Sequence, residues 1–167
     1  MKIRSLRSPS HRRVGGAATV EFALVSILLT MLVVATVDFA RAMFVYDQLV
    51  KAARDGARYL SFFDPTIASE YPVAAAKSRM LYGTASAADG AQPIVPGLTG
   101  AMIRICDRVD SSACPGEDFG AVATASGSID LVKVVIDGYT FSPIFPGLTR
   151  LGAVTFDPIG VTMRQLY

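Results

Sequence analysis

RRVGGAATVEFALVSILLTMLVVATV, residues 12–37, decides the fold, because it sets a paired arginine and a diglycine against an unbroken apolar run holding one charge, Glu21. Residues 17–37 are 21 positions with that single ionisable side chain. About 20 apolar residues in a helix cross a bilayer core, so this segment is expected to be a transmembrane helix. An acid inside such a span is costly and marks a functional position by default. Neither Pro nor Gly occurs from Ala17 to Asp55, so the helix is expected to continue past the span, from about Ala18 to Leu60.

The charge distribution follows the same division. The chain of 167 residues has a formal net charge of +2, yet Lys2, Arg4, Arg7, Arg12 and Arg13 all precede Ala17 and no acid does. Removing those five charges from +2 leaves −3 for the remainder. Residues 1–16 therefore read as a basic leader, and the positive-inside rule puts them in the cytoplasm. The basicity belongs to topology and not to a nucleic-acid surface, which would need a basic patch on the folded part. Cys106 and Cys114 are the two cysteines. In an extracytoplasmic, oxidising compartment they read as a disulfide closing a short loop, with two reduced, packed thiols as the alternative. His11 is the one histidine and lies in the leader, so a chain without the leader lacks the commonest general base and metal ligand.

Beyond the span the helix becomes amphipathic. Phe39, Met43, Tyr46, Val50, Ala53, Ala57 and Leu60 recur at alternating spacings of four and three, the repeat of a packed stripe. Arg41, Gln48, Lys51, Arg54, Asp55 and Arg58 fall on the other side. Gly56 weakens the last turn, and Asp64-Pro65 ends the helix. A second helix is expected within 66–82, with Pro72 in its first turn, followed by a loop over 83–100. Strands are expected at 101–106 and 129–137, where Val132, Val134 and Ile136 share one face. Gly138 marks a bulge before Tyr139 and Phe141, and strand is expected on both sides of Pro158. Helices followed by strands give an α+β class with a small antiparallel sheet, and the stripe is the sheet's partner. The chain thus divides into a leader (1–16), a transmembrane helix (17–37) and one extracytoplasmic domain (38–167).

The spacing around Glu21 fits the processing site of a type IV prepilin. Cleavage there occurs on the cytoplasmic side, after a small residue, and Gly16 satisfies that need. The new N-terminus would be Ala17, placing Glu21 fifth. In an assembled filament this carboxylate can pair with the terminal amine of a neighbouring subunit. The pairing offsets the burial of both charges and fixes the register between subunits. The alternative at this point is an uncleaved anchor in which Glu21 reaches the cytoplasmic interface, near a helix N-terminus that favours an acid.

Residues 12–60 resemble the TadE-like domain of tight-adherence pilus assembly proteins. The likeness rests on Arg12-Arg13, Gly15-Gly16-Ala17-Ala18, Val20 to Leu24 (Val-Glu-Phe-Ala-Leu), and Asp38-Phe39-Ala40-Arg41 before an Ala-rich helix. The strand at 131–136, Tyr139, Phe141 and Pro143, and the closing Val161-Thr162-Met163-Arg164 are similar as well. The resemblance implies a pilin-like fold and a minor pseudopilin of the bacterial cytoplasmic (inner) membrane. Such a protein is single-pass, with its N-terminus in the cytoplasm and its domain in the periplasm or outside. It also implies processing by a prepilin peptidase and work alongside other pilus assembly proteins and the major thin (Flp) pilin, in pilus biogenesis, adhesion and biofilm formation. Gly16 and Ala17 would flank the cleaved bond and Glu21 would be the assembly acid. Phe22 departs from the Glu-Tyr pair common in major pilins of this system.

Two other classes compete with this reading. Ala40-Arg41-Ala42 resembles a signal-peptidase site, whose use would release a domain beginning at Met43. The apolar run, however, exceeds the usual signal-peptide core, Asp38 and Arg41 crowd the site, and Glu21 goes unexplained. An enzyme finds no support: no G-x-S-x-G, H-E-x-x-H, phosphate loop or Cys–His pair is present. No catalytic residues, metal site, cofactor or small-molecule substrate are therefore expected. Asp107, Asp110, Glu117 and Asp118 cluster near the cysteines, where a solvated acidic loop is expected in preference to a calcium site, since the spacing is not that of an EF-hand.

Overall fold

The computed structural model describes residues 15–149 and 152–167. Most of the basic leader, including its five Lys and Arg residues, lies outside them. Helix α1 runs without a break from Gly15 to Leu60, about 69 Å at the standard rise. Helix α2 spans Val73–Tyr82, with Pro72 at its N-cap and Gly83 in the left-handed conformation at its end. It is shorter than the expected 66–82 segment, whose first residues form turns held by Ile67 and Asp64 carbonyls.

Among the described residues seven strands follow: β1 (Ile103–Cys106), β2 (Val122–Thr124), β3 (Gly127–Ile129), β4 (Leu131–Ile136), β5 (Thr140–Phe141), β6 (Val154–Thr155) and β7 (Ile159–Arg164). The short helix α3 (Pro146–Thr149) lies between β5 and β6. The main sheet is antiparallel in the order β1-β4-β7. The register pairs Val134 with both Ile105 and Val161. On β4, Val132, Val134 and Ile136 turn inward and are buried, as their alternation predicts. Gly138 takes φ +78°, which separates β4 from the β5–β6 ribbon. The fold is the α+β arrangement expected, a long helix laid against a small antiparallel sheet.

The core lies between α1, α2 and that sheet: Leu49, Ala53, Ala57, Leu60, Met80, Val132, Val134 and Ile136 are essentially inaccessible. The predicted stripe holds from Val50 to Leu60 but not before it. Phe39 and Met43 are exposed, and the face turned to the domain here is Asp38, Ala42, Val45 and Leu49. The reason is helical pitch. A straight α-helix drifts about 20° per heptad from a seven-residue repeat, so a stripe read at that spacing rotates about 60° off the contact face over three heptads. Gly56, expected to weaken the last turn, is instead a packing position. A Cβ there would lie 2.5 Å from the sulfur of Met80.

The C-terminus closes the domain. The Leu166 N–H donates to the Ser61 carbonyl at 2.7 Å, and the Gln165 amide donates to the Phe63 carbonyl at 3.3 Å. Asp130 gathers the Ala121 N–H, the Arg108 guanidinium and the Tyr167 hydroxyl. The bond from Ala121 N–H, then that from Tyr167, holds its carboxyl below the usual carboxylate range.

Candidate functional site: the apolar helix and its junction with the domain

Gly16, Ala17 and Glu21 all lie in the first turns of α1, and all are exposed. Gly16 meets no atom within 4 Å of where a Cβ would sit. Ala17 and Glu21 are four positions apart, so they share one helix face about 6 Å apart along the axis. Nothing in the domain touches this end. The helix passes the length and hydropathy test for a membrane span, and none of its most apolar window is buried by the rest of the chain. Threonines inside the run turn their hydroxyls back onto the helix: Thr30 donates to the Ser26 carbonyl and Thr36 to that of Leu32, each at 2.8 Å. Their polarity is thereby satisfied within the segment, as lipid requires.

The junction begins one residue past the run. Asp38 is 2% exposed. Its Oδ1 accepts the Ile144 N–H at 3.0 Å and lies 3.7 Å from the Arg41 guanidinium. Its other oxygen is buried without a hydrogen-bond partner among the described residues. The Arg41 guanidinium stands 5.4 Å from the centre of the Phe141 ring, a cation–π distance. Phe141 stacks on Phe156, which also stacks on Tyr139 and meets Tyr46 edge-on at 5.7 Å. Tyr139 satisfies its hydroxyl on the Pro96 carbonyl at 2.9 Å. This aromatic cluster fastens the β5–β6 ribbon to α1. Between ribbon and helix runs an open, almost wholly apolar groove of about 340 Å³, lined by residues that include Phe39, Met43, Pro143 and Val154.

Asp38 was not singled out from the sequence as a site residue in its own right. Its signal is an acid on the contact face of the helix, visible only once the true pitch is applied. Asp38→Ala should cost about 1–3 kcal/mol, because it removes the charged acceptor of the Ile144 N–H bond. Asp38→Asn retains an acceptor and should lose less. Thermal unfolding of the detergent-solubilised chain reads both, and equal stability of wild type and Asp38→Ala would remove the junction bond from the account.

Cys106 and Cys114 are joined, with Cα atoms 6.2 Å apart, and pack with Phe119 in a small second core. A bridge closing so short a loop contributes roughly 2–3 kcal/mol in the chain-entropy picture. The nearby acids serve the loop's own structure. Asp107 accepts the Val109 and Asp110 N–H groups, Asp110 accepts from Ser112, and Glu117 pairs with Lys133. Among the described residues no group of three or more His, Cys, Asp or Glu is placed to hold a metal ion.

One apolar helix long enough to cross a membrane carries a small α+β head. The family model described as TadE-like protein matches residues 16–58. That match bears out the resemblance over residues 16–58, the greater part of α1. No curated protein and no solved structure matches the chain.

Proposed function

We propose that this chain is a minor pseudopilin of a tight-adherence pilus system, cleaved between Gly16 and Ala17 by a prepilin peptidase. It is held in the cytoplasmic membrane by residues 17–37, with its N-terminus on the cytoplasmic side and residues 38–167 outside. It acts with other assembly proteins and the major thin pilin in pilus biogenesis, and through the pilus in adhesion and biofilm formation. The observation that carries this reading is Glu21. It is the one acid among the apolar, mostly exposed residues 17–37, one turn from Ala17, within the TadE-like match. A carboxylate so placed has no partner to find in the domain below it, and a neighbouring subunit's terminal amine supplies one.

Release by ordinary signal peptidase after Ala42 fits the geometry poorly. The cut would fall inside continuous helix, and it would remove Asp38 along with its bond to Ile144. Ala42 itself is packed against the core.

The test is the intact mass and N-terminal sequence of the protein from cells that contain the peptidase. A start at Ala17 is expected, and replacing Gly16 with Leu should leave the full-length precursor in the membrane. A start at Met43 would make this a secreted domain. An uncut N-terminus, or normal processing of Gly16→Leu, would make it an anchor of another kind.

A further inference from the structure

The apolar surface of α1 does not stop where the bilayer core is spanned. Ala17–Val37 already supplies the length required, yet Phe39, Met43 and Phe44 beyond it are 68%, 54% and 64% exposed. The next outward charges are Asp47 and Lys51, which pair with each other at 2.7 Å. The charges before them are drawn toward the domain: Asp38 is buried beneath the loop after β5, and Arg41 lies between Asp38 and the Phe141 ring. That loop reads Ser-Pro-Ile-Phe-Pro, and Ile144 and Phe145 are each about half exposed. Exposed apolar patches of this kind mark protein or membrane contacts.

Two geometric facts separate these occupants. The bond from Ile144 N–H to Asp38 holds the loop at the height where the span ends. At 100° per residue, Phe44 lies about 140° round the helix from Phe39, and the loop bearing Ile144 and Phe145 is bound on the Asp38 side, so helix and loop together present exposed apolar residues on more than one flank of α1. A protein partner covers one side of a helix. A lipid surface encircles it at a single depth.

We propose that the base of the domain, comprising Phe39, Met43, Phe44, Ile144 and Phe145 with the groove between helix and ribbon, is seated in the interfacial layer of the bilayer. The domain thus rests on the membrane and is not held off it on a bare helix. This inference depends on α1 being a membrane span. Arg41, half exposed at the same height, places its charge among the headgroups, as basic side chains near span ends do.

The chain contains no tryptophan, so single tryptophans report depth without background. The full chain carrying Ile144→Trp, Phe44→Trp, Leu28→Trp or Phe62→Trp is reconstituted in phosphatidylcholine vesicles, with and without lipid brominated high on the acyl chain or near its end. Ile144→Trp and Phe44→Trp should lose intensity about twofold in the shallow-brominated lipid, consistent with burial at the headgroup boundary. Leu28→Trp should be quenched most by the deep bromine, and Phe62→Trp, at the far end of α1, by neither. If Leu28→Trp is quenched while Ile144→Trp and Phe44→Trp are not, the domain stands off the bilayer or is covered by protein, and the proposal falls while the span survives. If Leu28→Trp is unquenched, the membrane reading falls, and this inference with it.

Discussion

Glu21→Ala should leave the protein in the membrane at wild-type amount and abolish pilus assembly. The two halves of that expectation have separate physical causes. The Glu21 side chain is exposed on α1, far along the helix from the domain, so its removal changes no packing in the core. Insertion should if anything become easier, since ionised residues at the centre of a span cost about 2.5–3.5 kcal/mol and those near its end less. Assembly is different. If the acid meets the amine of an adjacent subunit, its loss strands that amine in lipid and removes the one contact that distinguishes the correct axial step from its neighbours. Glu21→Gln tests charge against shape. It keeps the side-chain volume and should fail nearly as fully as Glu21→Ala. Membrane fractionation reports the first half and electron microscopy of surface pili the second. Normal piliation in Glu21→Ala would overturn the register role, and loss of the protein from the membrane would show that the acid serves insertion instead.

The parts of this molecule legible in its sequence are those set by local pattern. Residues 17–37 form a helix for composition alone, and β4 alternates because Val132, Val134 and Ile136 are separated by residues turned the other way. Cys106 and Cys114 lie close enough in the chain to be read as a pair, and the structure joins them. What escaped is set by pitch or by distant contact. Phe39 and Met43 were assigned to the core because a seven-residue repeat was extended over three heptads, where a straight helix has already turned away. The β2–β3 hairpin went unread because Val122–Thr124 and Gly127–Ile129 are mostly small or polar and carry no two-residue alternation of apolar side chains. The junction went unread because its key bond joins Asp38 to a loop 106 residues away. An acid in the motif Asp-Phe-Ala-Arg shows its type but not its partner. The roles proposed for Gly16, Ala17 and Glu21 rest on local sequence pattern alone, and the fold of the domain does not bear on them.

Gly56→Leu should be among the most damaging single changes in the α+β domain. Helix α2 crosses α1 at this residue, and a Cβ at position 56 would lie 2.5 Å from Sδ and 2.7 Å from Cγ of Met80. Met80 is itself fully buried, so its side chain has no free space to enter. Gly56→Ala sets two effects against each other. Helix propensity gains about 1 kcal/mol, while both Sδ and Cγ of Met80 must shift to relieve contacts of 2.5 and 2.7 Å inside a filled core. The net change should be destabilising, and smaller than that of leucine. Leucine adds three further carbons to the same gap. Overpacking typically costs 1–3 kcal/mol, and about 3 kcal/mol or more is expected here, with a fall in Tm of roughly 10 °C for a domain of this size. The pair can be separated from a general defect by a double mutant. Met80→Ala alone should cost about 2–5 kcal/mol as a cavity. Combined with Gly56→Leu it should cost less than the sum, because each change supplies the volume the other lacks, with a coupling of about 0.5–3 kcal/mol. Thermal and denaturant unfolding of the solubilised full chain measure all four species. Strict additivity would mean that the two residues do not share the crossing, and a wild-type Tm for Gly56→Leu would mean that α2 is not packed there.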